Sequence, residues 1–252
     1  MKISFRYLYI LAFSATIFSC KKDNFDPPAS MLTGHLVYQG EQIQVEANQV
    51  PILIYQNGFG KVGYVGATSL PDPNAGPPNV TVTPTFAEDG SYSAALYDGD
   101  YKIIVPNGQG PFIWKQTASG TPDSVSVTVK GNQSLDLEVT PYYMIKTPQI
   151  AAVGMDSISA TCMAAKIITD SVNAKDIEYV ALYVNKTQFV AGSSSIASFI
   201  LPASAITNMN SIELGVHLPA LVPAQNYLFA RIGLKIANVE DLIFSPLQKI
   251  QF

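Results

Sequence analysis

Residue types that could carry catalysis or hold a metal are few in this sequence and widely separated. The two histidines, His35 and His217, fall in predicted strands of different halves of the chain, and neither has a second ligand at a metal-binding spacing. Cys162 lies in an alternating run without a nearby histidine, so we expect a small buried hydrophobic residue rather than a nucleophile. We therefore predict no catalytic residue, no metal and no cofactor.

The acidic residues leave one enzymatic alternative open. A glycosidase would need two carboxylates about 5–10 Å apart in a cleft, whereas the carboxylates here are scattered over predicted turns and outward strand positions. Asp89, Asp98 and Asp100 could be taken as calcium ligands, but aspartates also cap turns through backbone hydrogen bonds. We predict turn chemistry at these three positions and a protein that is not an enzyme.

Cys20 is the residue with the clearest chemical role. It follows two basic residues, Lys2 and Arg6, and an apolar stretch, 7–18, that is too short to span a bilayer of about 30 Å. The pattern resembles the lipobox of bacterial lipoproteins, in which a signal peptide is removed and the newly terminal cysteine is acylated. The resemblance implies a lipid anchor at Cys20 on the outer membrane, and it leaves open whether the protein faces the cell surface.

Composition favours a β-rich protein. Of the 252 residues, 48% are hydrophobic and only 13% are charged, against about 25% charged in an average soluble protein. The formal net charge of −4 and the absence of a Lys/Arg cluster exclude nucleic acid as a partner. We predict an all-β fold of two tandem antiparallel β-sandwich domains, with these segments: signal peptide 1–19, lipid anchor and tether 20–30, first domain 31–143, second domain 144–252.

The first domain shows strand periodicity throughout. Val125, Val127 and Val129 alternate with polar residues, and the same alternation recurs over 135–139 after a Lys130–Gly131 turn. We predict that these two segments form a hairpin in an almost purely antiparallel module. Further strands are predicted at 32–38, 41–46, 50–56, 80–86, 91–97 and 100–105.

Residues 89–105 resemble the DGxYxxxLxxGxY pattern of carboxypeptidase-regulatory, transthyretin-like sandwiches. Gly90 and Gly99 would supply positive φ in tight turns. Tyr92, Leu96 and Tyr101 would cover the core.

The loop 106–115 is the most unusual segment. It carries the only tryptophan, Trp114, together with Phe112, and an exposed aromatic face could stack on a sugar ring while Asn107 and Gln109 bond its hydroxyls. The alternative is that both rings plug the end of the sandwich or contact the second domain. The long Gly/Pro/Asn-rich segment 57–79 is a second loop of the same kind.

The second domain is predicted to begin near Pro141–Pro148, with Tyr142 and Tyr143 packed between the domains. Residues 221–232 resemble the LxPxxxYxxR stretch of fibronectin type III domains, which implies that the Tyr227 hydroxyl returns to upstream backbone and that Phe229 points inward with it. A short helix is predicted around 202–209. Strands are predicted at 157–168, 177–184, 187–191, 211–217, 226–236 and 242–251.

Three Asp-Ser-hydrophobic triplets resemble the O-glycosylation sequon of exported Bacteroidetes proteins. If the sequon is used, the modified residues are Ser124, Ser157 and Ser171, and chance occurrence of the triplets remains the alternative.

Over the whole chain, the segments 20–28, 32–41, 57–60 and 98–112 are similar to a Bacteroidetes lipoprotein family, domain of unknown function 3823. Its genes commonly lie beside SusC-like transporters and SusD-like glycan-binding lipoproteins, so the resemblance implies an accessory, noncatalytic glycan-binding role with oligosaccharide or SusC/SusD-like proteins as partners. The alternative is a structural or adhesive surface protein that binds other proteins through strand edges.

Overall fold

The computed structural model describes residues 26–57, 64–65 and 84–252. Regular structure in these residues is almost entirely β-strand, and the arrangement in two modules of mostly antiparallel sheet confirms the predicted fold class. The predicted signal peptide, Cys20 and nearly all of the 57–79 loop lie outside the described residues.

The N-terminal module contains eleven strands in the described residues. They are β1 Ser30–Tyr38, β2 Glu41–Gln42, β3 Leu53–Asn57, β4 Tyr64–Val65, β5 Ser91–Leu96, β6 Gly99–Ile104, β7 Phe112–Ile113, β8 Val125–Val129, β9 Gln133–Ser134, β10 Leu137–Glu138 and β11 Thr140–Pro141. One sheet surrounds β1, which pairs with β2, β5, β9 and β10. The other sheet has the order β4-β3-β6-β8, and β7 pairs with β11 in a separate ribbon.

The predicted hairpin between 125–129 and 135–139 is wrong. β8 pairs with β6 in one sheet, whereas β9 and β10 run parallel to β1 in another, so the module is not purely antiparallel. The turn at Gly131 carries the chain from one sheet to the other. Both segments do have one buried and one exposed face, but alternation looks the same whether two strands are neighbours in a sheet or belong to different sheets.

The tyrosine- and leucine-bearing segment 89–105 behaves as predicted. Tyr92, Leu96 and Tyr101 are buried in the core. Gly90 has a φ of +75°, and a Cβ there would lie 2.0 Å from the Ile43 carbonyl oxygen, so only glycine fits this turn.

The aspartates of the same segment make turn and cross-strand hydrogen bonds. The Ser91 amide donates to Asp89 Oδ1 at 3.0 Å, the Gly131 amide to Asp98 Oδ1 at 3.1 Å, and the Thr128 hydroxyl to Asp100 Oδ1 at 2.5 Å. Asp89 therefore has the predicted turn role, whereas Asp98 and Asp100 bond residues that are distant in sequence.

The C-terminal module is a sandwich of a three-stranded sheet, β12-β13-β16, and a sheet with the order β15-β14-β17-β18, in which β19 also pairs with β17. The strands are β12 Tyr143–Val153, β13 Ser157–Lys166, β14 Ile177–Asn185, β15 Ala197–Pro202, β16 Ile212–His217, β17 Tyr227–Ile236, β18 Leu242–Phe244 and β19 Gln248–Gln251. Cys162 is buried in the core between the sheets, as predicted, and burial raises the pKa of its thiol to about 11.

Three details of this module differ from the predictions. The segment 187–191 is a loop, because the Asn185 carboxamide bonds the Phe189 carbonyl and closes a turn, and the next strand is β15. The helix around 202–209 is reduced to one 3-10 turn at Ala203–Ala205. The predicted strand 242–251 is split at 245–247.

The prediction that Tyr227 and Phe229 of β17 point into the core is wrong. The core-facing set is Leu228, Ala230, Ile232, Leu234 and Ile236, whereas Tyr227 and Phe229 lie on the other face and pack edge-on against each other with centroids 5.7 Å apart. No hydrogen bond from the Tyr227 hydroxyl to upstream backbone forms within the described chain, so the predicted tyrosine corner is absent there. On this other face, Arg231 is buried and its Nη1 donates to the Val45 carbonyl of the N-terminal module, whereas Tyr227 and Phe229 are half-buried.

Candidate binding pocket at the module junction

A cavity of about 350 Å³ lies where the two modules meet. The N-terminal module contributes the loop that follows β6, together with Gln116, Gly120 and Tyr142. The C-terminal module contributes Asn173, Lys175, Asn238 and Val239. All four residues that the sequence singled out for sugar binding line this cavity: Asn107, Gln109, Phe112 and Trp114.

The loop on the N-terminal side is held in shape by glycines and by the other module. Gly110 has a φ of +79°, and a Cβ there would lie 2.5 Å from two atoms of the Phe112 ring. Its amide donates a hydrogen bond of 2.7 Å to Asp241 Oδ2, a buried carboxylate of the C-terminal module. The second module therefore fixes the wall that the first module contributes.

The predicted exposed aromatic face is corrected by the structure. Trp114 is 3% exposed and Phe112 is 4% exposed, and the Trp114 indole N–H donates to the Asp123 carbonyl at 2.7 Å. The two rings close the end of the sandwich, where burial removes their large apolar surface from water. The Trp114 and Phe112 rings form the floor of the cavity and present no open face on which a sugar could stack.

The two amide side chains of the loop have different roles. Asn107 is already engaged, since its Nδ2 donates to the Gly120 carbonyl at 3.0 Å and its Oδ1 accepts from Gln116 Nε2 at 2.8 Å. Gln109 is half-buried at the cavity, and its carboxamide makes no hydrogen bond to another described residue. Gln109 is thus the predicted residue whose donor and acceptor groups remain available to a ligand.

The C-terminal wall was not predicted. Lys175 Nζ donates to the Asn238 carbonyl at 2.9 Å and lies 5.3 Å from the centroid of the Tyr142 ring. Asn173 is positioned by Asp170, which accepts both its backbone and its side-chain N–H groups. These residues come from turns at least 58 positions beyond the loop 106–115, and nothing in their local sequence indicates that the fold brings them to it. Tyr142 was expected between the modules, and it is there.

A buried arginine, Arg231, forms contacts between the two modules. Arg231 on β17 is 1% exposed; its Nε donates to the Val190 carbonyl and its Nη1 to the Val45 carbonyl of the N-terminal module at 3.1 Å. The guanidinium lies 3.7 Å from the centroid of the Phe244 ring, and Nη2 is 4.0 Å from Glu88 Oε1. Burial lowers the pKa of Arg231 to about 10.

Three carboxylates converge on the same junction. Burial raises the pKa of Glu46, Glu88 and Asp241, and the positive charge of Arg231 partly offsets the increase for the two glutamates. None of the three lines the junction cavity among its described residues. Their positions fit a role in holding the modules together.

A second, more open concavity of about 440 Å³ lies on the N-terminal module. Hydroxyl side chains of neighbouring strands line it, with His35 and Asn48 at its margin, and His35 Nδ1 is 3.6 Å from Asp136 Oδ1. It resembles the solvated face of a sheet. The junction cavity is the better candidate because it is more enclosed and its walls come from two modules.

The remaining candidate residues are spread over the surface. Ser171 is exposed in a turn that Asp170 caps, Ser124 is half-buried, and the half-buried Ser157 hydroxyl contacts His217 Nδ1 at 2.9 Å. O-glycosylation at these serines stays a prediction.

Within the described ranges, no cluster of three or more His, Cys, Asp or Glu side chains could hold a metal ion. None of the helical structure described there is long and apolar enough to cross a bilayer.

Fold and site together define an all-β protein of two docked modules with a polar cavity at their junction. The chain belongs to the DUF3823 family: the family described as "Protein of unknown function (DUF3823) N-terminal domain" matches residues 30–140, and "Domain of unknown function (DUF3823_C)" matches residues 143–249. The family resemblance seen in the sequence is thus confirmed. No curated protein matches the chain.

Solved structures of the family share the two-module architecture. A DUF3823 protein from Parabacteroides merdae is 26% identical, with a TM-score of 0.71 over 90% of this chain and 100% of that one. A second, from Bacteroides ovatus, is 25% identical, with a TM-score of 0.69 over 89% and 99% of the respective chains. A Bacteroides uniformis protein described as a candidate carbohydrate-binding protein is 16% identical, with a TM-score of 0.63 over 89% and 100%, and shows the same fold.

Proposed function

We propose that this protein is a noncatalytic saccharide-binding lipoprotein that holds its ligand in the junction cavity. The observation that carries the proposal is the cavity itself: it is the size of a small saccharide, it is walled by both modules, and it presents the free carboxamide of Gln109 beside Asn173, Lys175 and Tyr142. Amide and ammonium groups are suitable partners for sugar hydroxyls. The carbohydrate-binding description of the Bacteroides uniformis relative agrees with this proposal.

Glycan array screening followed by calorimetry with the purified full chain tests the binding step. Gln109→Ala and Asn173→Ala should each weaken the affinity about fivefold, because each removes a hydrogen bond of about 1 kcal/mol. Gln149→Ala, an exposed glutamine that does not line the cavity, is the matched control. Trp114→Ala is a poor test because the ring is buried and its loss would destabilise the fold. Absence of any bound saccharide, or equal affinities in all three variants, would contradict the proposal.

The anchor forms the second part of the proposal. Acylation at Cys20 would place the two modules at the outer membrane, where a glycan-uptake complex of the SusC/SusD type could receive the saccharide. Palmitate labelling should mark the wild-type chain and fail to mark Cys20→Ser. Pull-down from the native membrane should recover a SusC/SusD-like pair, and recovery of the chain without such proteins would remove the uptake role and leave saccharide binding intact.

An adhesive function is the second candidate, and strand β15 favours it. Among the described strands, β15 hydrogen-bonds only to β14; it carries no charged residue and exposes Phe199 and Ile200 to solvent at 38% and 52%. Such an edge can pair with a strand of another protein. Ile200→Lys would abolish protein–protein capture if β15 is the adhesive surface and would leave saccharide binding unchanged.

A further inference from the structure

Lys175 is the only charged side chain among the described residues that line the junction cavity. It is half-buried, and its Nζ makes one hydrogen bond, to the neutral carbonyl of Asn238, and one ring contact, with Tyr142. An ammonium group has three donors. No carboxylate of the described chain lies within 4.0 Å of this one, in contrast to Lys115, Lys146 and Lys166. The cavity therefore has an unbalanced positive charge on its wall.

The carboxylates near this wall are occupied elsewhere. Asp170 accepts the Val172 and Asn173 amides, and Asp241 accepts the Gly110 amide from beneath the loop. Asp176 accepts a hydrogen bond from Lys166 at 3.1 Å. Glu240 follows Val239 in sequence and is exposed, but it does not line the cavity. None of these groups is placed to neutralise Lys175.

We propose that the cavity selects acidic saccharides, with a uronate carboxylate bound to Lys175 Nζ. The inference rests on the proposed saccharide-binding function and names the class of ligand. A carboxylate would give the ammonium a charge-assisted hydrogen bond, about twice as strong as the bond to a neutral hydroxyl. The partly dehydrated position strengthens that attraction, because charges interact more strongly away from bulk water. Gln109 and Asn173 would bond the hydroxyls of the same sugar.

Three acid–neutral pairs of ligands test this proposal: short oligomers of galacturonate, mannuronate and glucuronate, each beside its carboxyl-reduced form. The pairs differ only in charge, so sugar shape is held constant. For at least one pair, the wild-type chain should bind the acid about tenfold more tightly than the reduced form. Raising the salt concentration from about 0.05 to about 0.5 M should weaken binding of the acid and leave that of the neutral form unchanged.

Lys175→Met should abolish the preference for the acid, so that the acidic and the carboxyl-reduced oligomers bind with equal affinity. Lys249→Met is the matched control, because Lys249 Nζ also lies over a tyrosine ring, 4.1 Å from the Tyr227 centroid, but away from the cavity. Equal affinity of the wild-type chain for both members of every pair would overturn the preference and leave the proposed function standing. Binding of neither member, with Gln109→Ala also without effect on any saccharide, would overturn both. An acid preference that survives in Lys175→Met would refute the assignment to this lysine.

Discussion

Arg231 Nη1 donates a hydrogen bond to the main-chain carbonyl of Val45, 186 positions earlier in the chain, at 3.1 Å. The bond joins the two modules, and the same guanidinium stacks on Phe244 and faces Glu88. A buried charge of this kind is costly to dehydrate unless its donors are satisfied, and Arg231 Nη2 has no hydrogen-bond partner among the described residues. Its contacts with Val45 and Glu88 make Arg231 one of the residues that dock the two modules.

Removing Arg231 should destabilise the protein substantially. Arg231→Ala leaves the Val45 and Val190 carbonyls unpaired and Glu88 without its cation, so we expect the free energy of unfolding to fall by about 3–5 kcal/mol. Urea denaturation followed by tryptophan fluorescence measures the change, since Trp114 lies close to the junction. Lys249→Ala, which removes an exposed cation, should change stability by less than about 0.5 kcal/mol. Similar effects of the two substitutions would show that Arg231 does not fasten the modules.

Asp241 should matter as a hydrogen-bond acceptor and not as a charge. Asp241→Asn keeps an oxygen for the Gly110 amide and removes a carboxylate whose pKa burial raises, so stability at neutral pH should be unchanged or higher. Asp241→Ala leaves the amide unpaired and should lower stability by about 1–3 kcal/mol. Hydrogen exchange at the Gly110 amide should accelerate only in the alanine variant. Acceleration in both variants would indicate that the charge holds the loop.

Stability should rise as the pH falls from neutral into the mildly acidic range. Burial raises the pKa of Glu46, Glu88 and Asp241 above the unfolded values, so the folded state binds protons more readily and gains stability as the pH falls through the raised values. Below about pH 4 the trend should reverse, because the pKa of Asp98 is lowered by a hydrogen bond from the Ser30 hydroxyl.

Urea titrations between about pH 4 and about pH 8 measure this dependence. Glu46→Gln should flatten the slope, because it removes one of the three carboxyl groups whose pKa burial raises. A slope that is flat or of opposite sign in the wild-type chain would contradict the prediction.

Two glycines of the loop that follows β6 allow a matched comparison of alanine substitutions. Gly108 and Gly110 both have positive φ, but a Cβ on Gly108 would meet nothing within 4 Å, whereas one on Gly110 would collide with the Phe112 ring. Gly108→Ala should cost about 1–2 kcal/mol through backbone strain alone. Gly110→Ala should cost more and should also reduce saccharide binding, because it displaces Phe112 from the cavity floor. Equal stability losses and unchanged binding would contradict this account of the loop.

The parts of the fold that the sequence predicts correctly are those where one face of a strand is apolar and the other polar. Tyr92, Leu96 and Tyr101 could be assigned to the core on that basis. The phase of β17 could not be predicted, because its aromatic residues Tyr227 and Phe229 lie on the face opposite to the core. Pro148 lies within β12, where a register shift lets the strand continue.

The candidate site was predictable on one side only. The glycines and aromatic residues of 106–114 predict a binding loop, and most residues of this segment line the cavity. Lys175 and Asn238 gain their positions from the docking of the modules, which depends on Arg231 and Asp241. A pattern within a single strand or loop carries no information about such long-range contacts.

The short antiparallel pairing of Gln44 with Phe244 has a practical consequence for anyone who would divide the chain. The two family domains meet near Pro141–Tyr143, which invites expression of each half alone. Cutting there would leave the Gln44 carbonyl, which accepts the Phe244 amide at 3.0 Å, without its partner and would expose the buried Arg231 to water. Isolated halves should therefore aggregate or melt early, and a calorimeter should record one cooperative transition for the intact chain.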